Sequence, residues 1–422
     1  MDIRVAVYTT QPTIKFITMT SPASASIFSA IDMAPRDPIL GITEAFNADH
    51  NQAKINLGVG VYYDDNGKVP LLECVHKAET ALLSQQAPRT YLPIDGLPAY
   101  DKAVQELIFG ADSPVIQQRR AVTMQAIGGT GALKIGADFL KRFAPGAQIF
   151  ISDPSWENHR ALFESAGFVV SNYAYYDAVT RGVNFPGMMA SLRAMPRGSI
   201  VVLHACCHNP TGADLSDEQW TDVIAAVTAG GLIPFLDMAY QGFGAGIQED
   251  GAVVSRFAAI GTPLLVSNSF SKSFSLYGER VGALTVVAAD ADEAHRVLSQ
   301  LKRVVRTNYS SPHMHGGKTV ASVLTHPELR ALWESELAGM RVRIKEMRNQ
   351  FVEKLKEKAP SHNFEFVREQ VGMFSYSGLT KDQVELLRKE HSIYAVDTGR
   401  ICVAALNSKN IDRVVDAIAK VL

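Results

Sequence analysis

Ser267-Asn-Ser-Phe-Ser-Lys272-Ser-Phe-Ser-Leu-Tyr-Gly-Glu-Arg280-Val-Gly282 is the stretch on which the fold of this chain turns. An apolar run, Leu264-Leu-Val266, leads into it and predicts a short buried strand. Ser269 and Ser271 flank Phe270, a single lysine follows, and an arginine stands eight residues further on. Hydroxyls, one amine and one guanidinium in so short a span suit a phosphorylated aldehyde. The hydroxyls and the fork of Arg280 can hold a phosphate dianion, and Lys272 can form a Schiff base with the aldehyde. Spacing alone leaves a polar loop with a solvated lysine as the alternative.

The composition narrows the field. A chain of 422 residues, 47% of them hydrophobic and 20% charged, is long enough for two domains around a large core. Lys plus Arg (41) nearly balances Asp plus Glu (43), so nothing advertises nucleic acid or an anionic membrane surface as a partner. No apolar stretch approaches the roughly 18 residues that span a bilayer. The cysteines are Cys74, Cys206, Cys207 and Cys402, without a CxxC pair or a disulfide-framework spacing, which fits a reducing, cytoplasmic compartment. Residues 1–25 read as a flexible tail, with Met19 as an alternative start and no signal or transit pattern.

Outward from the lysine stretch, strands end repeatedly in polar loops. Pro35 to Phe46 predicts a turn and an amphipathic helix, and Ile55-Asn-Leu-Gly-Val-Gly60-Val-Tyr62 a strand interrupted by glycines. Glycine inside a strand signals a bulge or close approach of another group to the backbone. Asp65-Asn-Gly67 predicts a tight turn. The strand Ala121–Gln125 leads to Gly128-Gly129-Thr130-Gly-Ala-Leu-Lys134, which opens a helix to about Phe143. Such a helix N-terminus binds anions through free backbone N–H groups. Leu133 and Lys134 exclude the Walker A and GxGxxG patterns, so the seat suits a non-nucleotide phosphate on Gly129 and Thr130. Trp156 follows the strand Gln148–Asp153, where open parallel sheets collect ligands. The apolar strands Ile200–His204 and Leu232–Asp237 predict the middle of a parallel sheet. His204, Cys206, Cys207 and His208 crowd together, but known zinc spacings need gaps and a second ligand pair, so no metal is expected. Asp237 closing its strand is a helix cap or a functional carboxylate, and Ser216-Asp-Glu-Gln219 is a capping box. Arg280–Val287 predicts a strand, a helix starts near Asp292, and one long helix runs from Pro327 to about Lys358.

Two segments together carry a resemblance: Ser269–Gly282 and the run Cys206-Cys-His-Asn209-Pro-Thr-Gly212. They resemble the lysine and asparagine loops of class I pyridoxal-phosphate (PLP) aminotransferases, in detail the aspartate/aromatic branch. The resemblance runs from about Phe28 to Leu422. It implies an α/β protein of PLP-dependent transferase fold type I. A large domain would carry a mostly parallel seven-stranded sheet, and a small α/β domain would be built from both chain ends. Residues 1–70 would then be tail and part of the small domain, 71–339 the large PLP-binding domain, and 340–422 the rest of the small domain.

The resemblance also assigns roles. Lys272 would link to PLP and shuttle the proton; Asp237 would keep the ring nitrogen charged; Tyr240 and Asn209 would reach the phenolic oxygen. Trp156 would stack on the ring. Gly129, Thr130, Ser269, Ser271 and Arg280 would hold the phosphate, joined by Tyr91 across a homodimer interface. Gly60, Trp156 and Asn209 would lie beside the substrate, Arg400 would clamp its α-carboxylate, and Arg306 would bind a distal carboxylate in the partner's site. His159 is a donor orienting Asp237 or a plain surface histidine. The implied reaction moves an amino group from an aromatic amino acid, or from aspartate or glutamate, to a 2-oxo acid such as 2-oxoglutarate. Ser311 and His313-Met-His315 depart from aspartate-specific relatives, while Thr211–Ser216 and Pro234–Tyr240 look like bacterial aromatic enzymes. The alternatives are an aspartate-specific enzyme, a PLP β-lyase and a non-catalytic PLP-binding regulator, for which last no segment is spare to form a DNA-binding domain.

Overall fold

Short apolar runs bounded by turns dictate the centre of the molecule. In the computed structural model, which describes residues 26–34 and 40–422, seven such runs form one sheet. From edge to edge the strands are Ala121–Ile127, Val281–Val287, Leu264–Ser269, Ile233–Met238, Ile200–His204, Ile149–Asp153 and Val170–Ala174. Val281–Val287 is antiparallel to both its neighbours, and every other pairing is parallel. The mostly parallel seven-stranded sheet expected from the sequence is present.

Successive side chains on each strand go to opposite faces. Val201, Leu203, Leu236 and Val266 enter one buried cluster, and Ile200, Val202, Phe235 and Leu265 enter another. Helices cover both faces, which is why the strands read as continuous apolar runs rather than alternating ones. Gly128–Phe143, Glu157–Ser165 and Ala291–Asn308 pack on the second face. Full burial of each large aliphatic side chain contributes about 1.5–3 kcal/mol, so the sheet is a rigid floor for whatever its loops carry.

The direction of strand addition reverses between Ile149–Asp153 and Ile200–His204. Open parallel sheets bind ligands at the carboxyl ends of strands beside such a reversal. Register aligns His204 with Asp237, and Asp237 with Ser267, at those ends. The loops leaving there carry Trp156, Asn209 and Tyr240.

The long helix is Pro327–Lys358, 32 residues, or about 48 Å at 1.5 Å per residue. It packs on Glu73–Ser84 and His315–Thr325, and also on Phe366–Glu369 and Ile411–Val421. Near the N-terminus, Ile55–Asn56 pairs in parallel with Ile393–Tyr394, which joins early chain to late chain. The strand expected over Ile55–Tyr62 is cut to those two residues. Leu57 still exchanges backbone bonds with Tyr394 and Cys402. At Gly60 a Cβ would stand 2.6 Å from the Phe374 ring, so the backbone there approaches the ring closer than any side chain allows.

Local readings otherwise hold. Gly67 (φ 72°) closes the Asp64 turn, and Ser216 and Gln219 make both bonds of the capping box. A helix spans Leu40–Ala48; residues 35–39, where it was expected to begin, lie outside the described residues, as do residues 1–25 with Met19 and the expected tail. Among the described residues no helix is long and apolar enough to cross a membrane.

Candidate active site

A turn over residues 271–274, in which the Phe274 N–H donates to the Phe270 carbonyl at 3.2 Å, brings Phe270 and Phe274 to one face of the loop. Phe270 and Phe274 are 2% and 0% exposed; Phe274 stacks on Trp333 with ring centroids 4.6 Å apart. The Trp333 indole N–H donates to the Ser273 carbonyl at 2.7 Å, pinning the loop to the long helix. The opposite face, with Ser269, Ser271 and Lys272, lines a cavity of about 240 Å³. Its wall also includes Gly60, Gly129, Thr130, Trp156, Asn209, Asp237, Tyr240, Arg280 and Arg400. Almost every residue singled out in the sequence is therefore brought to one place.

One end of the cavity is an anion seat. Arg280 Nη1 donates to Ser271 Oγ at 3.2 Å. The helix Gly128–Phe143 points its N-terminus at the same corner, where first-turn N–H groups have no intrahelical acceptor. The fit is tight: a Cβ on Gly128 (φ 67°) would stand 2.5 Å from the Arg280 guanidinium, and one on Gly129 3.0 Å from Ser269 Cβ. These residues bring hydroxyl, guanidinium and backbone N–H donors to one corner of the cavity.

At the floor, Asp237 is 6% exposed and its Oδ2 accepts from His159 Nε2 at 3.0 Å. His159 Nδ1 meets Ser155 Oγ at 2.9 Å. His159 is fully buried, which settles it as the residue that orients Asp237 rather than a surface side chain. Burial pushes the Asp237 carboxyl up, but the hydrogen bond from His159 and nearby positive charge, Lys272 included, outweigh it and hold it below the usual carboxylate range. His204, pressed to about 3 by burial and by His159, is neutral near pH 7, and neither of its ring nitrogens has a hydrogen-bond partner. Tyr240, its phenol pushed well up by burial, accepts from Asn209 Nδ2 at 3.4 Å. Lys272 Nζ stands 5.0 Å from the Tyr240 ring centroid. Burial is the main cause that lowers the Lys272 amine to about 8; Arg280 and Arg400 add to it and Asp237 opposes.

At the far end Arg400, 1% exposed, donates from Nη1 to Asn209 Oδ1 at 3.1 Å and from Nη2 to the Gly58 carbonyl at 2.7 Å. An anion seat, an amine, an anionic carboxylate and a buried guanidinium thus share one cavity.

Comparison with known proteins agrees. The family model for aminotransferases of class I and II matches residues 52–418. The chain belongs to this family. It is 61% identical to an aspartate aminotransferase of Pseudomonas aeruginosa and 50% identical to an aromatic-amino-acid aminotransferase of Escherichia coli, each over 94% of this chain and 100% of the relative. Among solved structures, the aromatic-amino-acid aminotransferase of Burkholderia pseudomallei covalently bound to pyridoxal phosphate superposes with a TM-score of 0.92. It is 62% identical over 94% of this chain and all of that one.

Two sequence-predicted residues of this aminotransferase stay out of the cavity of their own chain. Tyr91 is 95% exposed, on a groove of about 610 Å³ that also reaches Arg280, Ser310 and Ser311. Arg306 is exposed at the end of its helix and hydrogen-bonds Ser310. Three cavity residues carried no sequence signal of their own. Phe374 lies 4.5 Å under the Arg400 guanidinium; the Tyr277 hydroxyl accepts from the Tyr62 N–H at 2.9 Å; His204 had been weighed only as a metal ligand. Among the described residues, potential ligand atoms gather within 4.8 Å in two groups, His159/His204/Asp237 and Cys206/Cys207/Asp250. In the first, His159 is already hydrogen-bonded to Asp237. In the second, Asp250 already accepts backbone N–H bonds from Gly242, Gly244 and Ala245, and the Cys206 thiol is pushed well up by its contact with Cys207 and by burial.

Proposed function

We propose that this aminotransferase uses PLP, in a fold type I scaffold, to move the amino group of aromatic amino acids, and of aspartate and glutamate, to a 2-oxo acid such as 2-oxoglutarate. The observation that carries the reading is that one cavity is lined together by the anion seat of Ser271, Arg280, Gly129 and Thr130, by Lys272, by Asp237 and by Arg400. PLP would sit with its phosphate on Ser269, Ser271, Arg280, Gly129 and Thr130, its ring beside Trp156 and its nitrogen towards Asp237. Bound there, it supplies an aldehyde that links to amines and a ring that takes up the electron pair left on Cα.

The protein's residues do the rest. Lys272 would hold the cofactor through its Nζ and, as a free amine, would move the Cα proton, for which burial lowers it to about 8. Asp237, kept anionic, would hold the ring nitrogen protonated, with His159 and Ser155 fixing the carboxylate's angle. Asn209 and Tyr240 would hydrogen-bond the phenolic oxygen. Arg400 clamps the α-carboxylate, which orients the Cα–H bond for removal, while Gly60 leaves room beside the substrate.

The exposure of Tyr91 and Arg306 supports a homodimer in which each chain lends both residues to its partner's site. Four free, buried cysteines support a cytoplasmic location. A partition near residues 70 and 340 fits the pairing of Ile55–Asn56 with Ile393–Tyr394 and the long helix running across the boundary. Borohydride reduction of the holoenzyme followed by peptide mass mapping should label Lys272; label on another lysine overturns the assignment. A panel of amino donors with 2-oxoglutarate should show phenylalanine, tyrosine and aspartate all turned over, whereas aspartate alone would mark a specialist.

A further inference from the structure

A guanidinium buried as fully as that of Arg400 is costly unless charge or hydrogen bonds compensate it. Its two hydrogen bonds go to neutral oxygens, those of Asn209 and Gly58, and its Nε has no partner. Among the described residues the one carboxylate within ion-pair range is Glu157, whose Oε2 lies 3.8 Å from Arg400 Nη1. That is too long for a hydrogen bond. Glu157 Oε2 is itself buried without a hydrogen-bond partner, although the side chain as a whole keeps 29% of its exposure. Two opposite charges face each other beside the cavity-lining Arg400, and neither is saturated.

We infer that Glu157 is a resident counter-ion of Arg400, holding the place of a substrate's α-carboxylate in the empty site and opposing its arrival. It therefore sets the affinity for every carboxylate ligand rather than the chemical step. The inference rests on Arg400 being the α-carboxylate anchor. A carboxylate hydrogen-bonded to Arg400 comes within a few ångströms of Glu157, and like charges at that range repel. The substrate prevails because charge-assisted bonds of about 2.7–2.9 Å replace a loose ion contact, but at reduced affinity. Glu157 also begins the helix Glu157–Ser165, where the helix dipole favours a negative charge. It stays stabilised when Arg400 turns to the ligand. Glu157 is thus an affinity-setting residue that acts through Arg400.

Glu157→Gln keeps the shape and removes the charge. In the holoenzyme, KM for phenylalanine, aspartate and 2-oxoglutarate should each fall about threefold to tenfold, the range between exposed and partly buried ion pairs, with kcat changed less than twofold. The Kd of 3-phenylpropionate, an unreactive carboxylate, should fall by the same factor. Binding of phenethylamine, with the same ring and no carboxylate, should stay put. Glu157→Asp, which keeps the charge but withdraws it by one methylene, should lie between, and it carries the test if the Gln variant fails to fold. Unchanged or weaker carboxylate binding overturns the inference, as does a fall in kcat at constant KM or an equal change for phenethylamine. Arg400→Gln run alongside separates the two readings. If it raises KM while Glu157→Gln changes nothing, only the counter-ion falls; if it leaves KM unchanged, both fall.

Discussion

Stripped of its cofactor, this protein should become more stable when its essential lysine is replaced by methionine. Lys272 is lowered from 10.5 to about 8, first by burial and then by Arg280 and Arg400, with Asp237 opposing. A folded-state pKa below the unfolded value means that the fold disfavours the protonated amine. The sign follows: below pH 8 both states carry the proton and the full penalty applies. Between 8 and 10.5 the unfolded chain binds more protons, so stability rises with pH, and above 10.5 the penalty is gone. At about 1.4 kcal/mol per pKa unit, the drop from 10.5 to about 8 corresponds to about 3 kcal/mol. That is a ceiling, because Lys272 keeps some access to water in the cavity. Lys272→Met removes the charge at similar length. Urea unfolding of the cofactor-free proteins, at one fixed subunit concentration, should show the variant's midpoint above wild type at pH 7. The two midpoints should converge above pH 10.5, where comparison with wild type cancels the other titrating groups. Coincident midpoints at pH 7, or a gain that persists at high pH, would refute a lysine held under electrostatic strain.

The remaining predictions concern catalysis. Asp237→Asn should lower kcat roughly a thousandfold, since an amide cannot stabilise positive charge on the ring nitrogen, while cofactor affinity measured by equilibrium dialysis changes little; near-normal turnover would remove Asp237 from the site. Arg306→Leu should reduce kcat/KM for aspartate about a hundredfold, the scale for truncating a buried charge pair, and leave phenylalanine and tyrosine nearly unchanged; equal losses would make Arg306 structural. Mixed dimers of one Lys272→Ala and one Arg306→Leu chain should retain aspartate activity at one site of the two, because that site draws its lysine and its arginine from different chains. No activity in the mixture would place Arg306 in its own chain's cavity.

What was legible in the sequence is what neighbours along the chain decide. The apolar runs around Val201 and Leu236, the capping box at Ser216, the turn at Gly67 and the helix from Pro327 depend on side-chain period and on backbone groups a few residues apart. With the resemblance added, the cavity's main residues could be named before their positions were known.

Tertiary structure decided the rest. It buried His159 against Asp237, where the sequence left a surface histidine nearly as open, it confined the strand to Ile55–Asn56, and it set the Phe374 ring against Gly60. It set Arg400 above Phe374 and beside Glu157, partners separated widely along the chain. Periodicity is blind to such contacts. Sheet order and the packing of the long helix determine which distant side chains meet, and only once they have met do burial and neighbouring charge move the Lys272 amine to about 8 and hold Asp237 anionic.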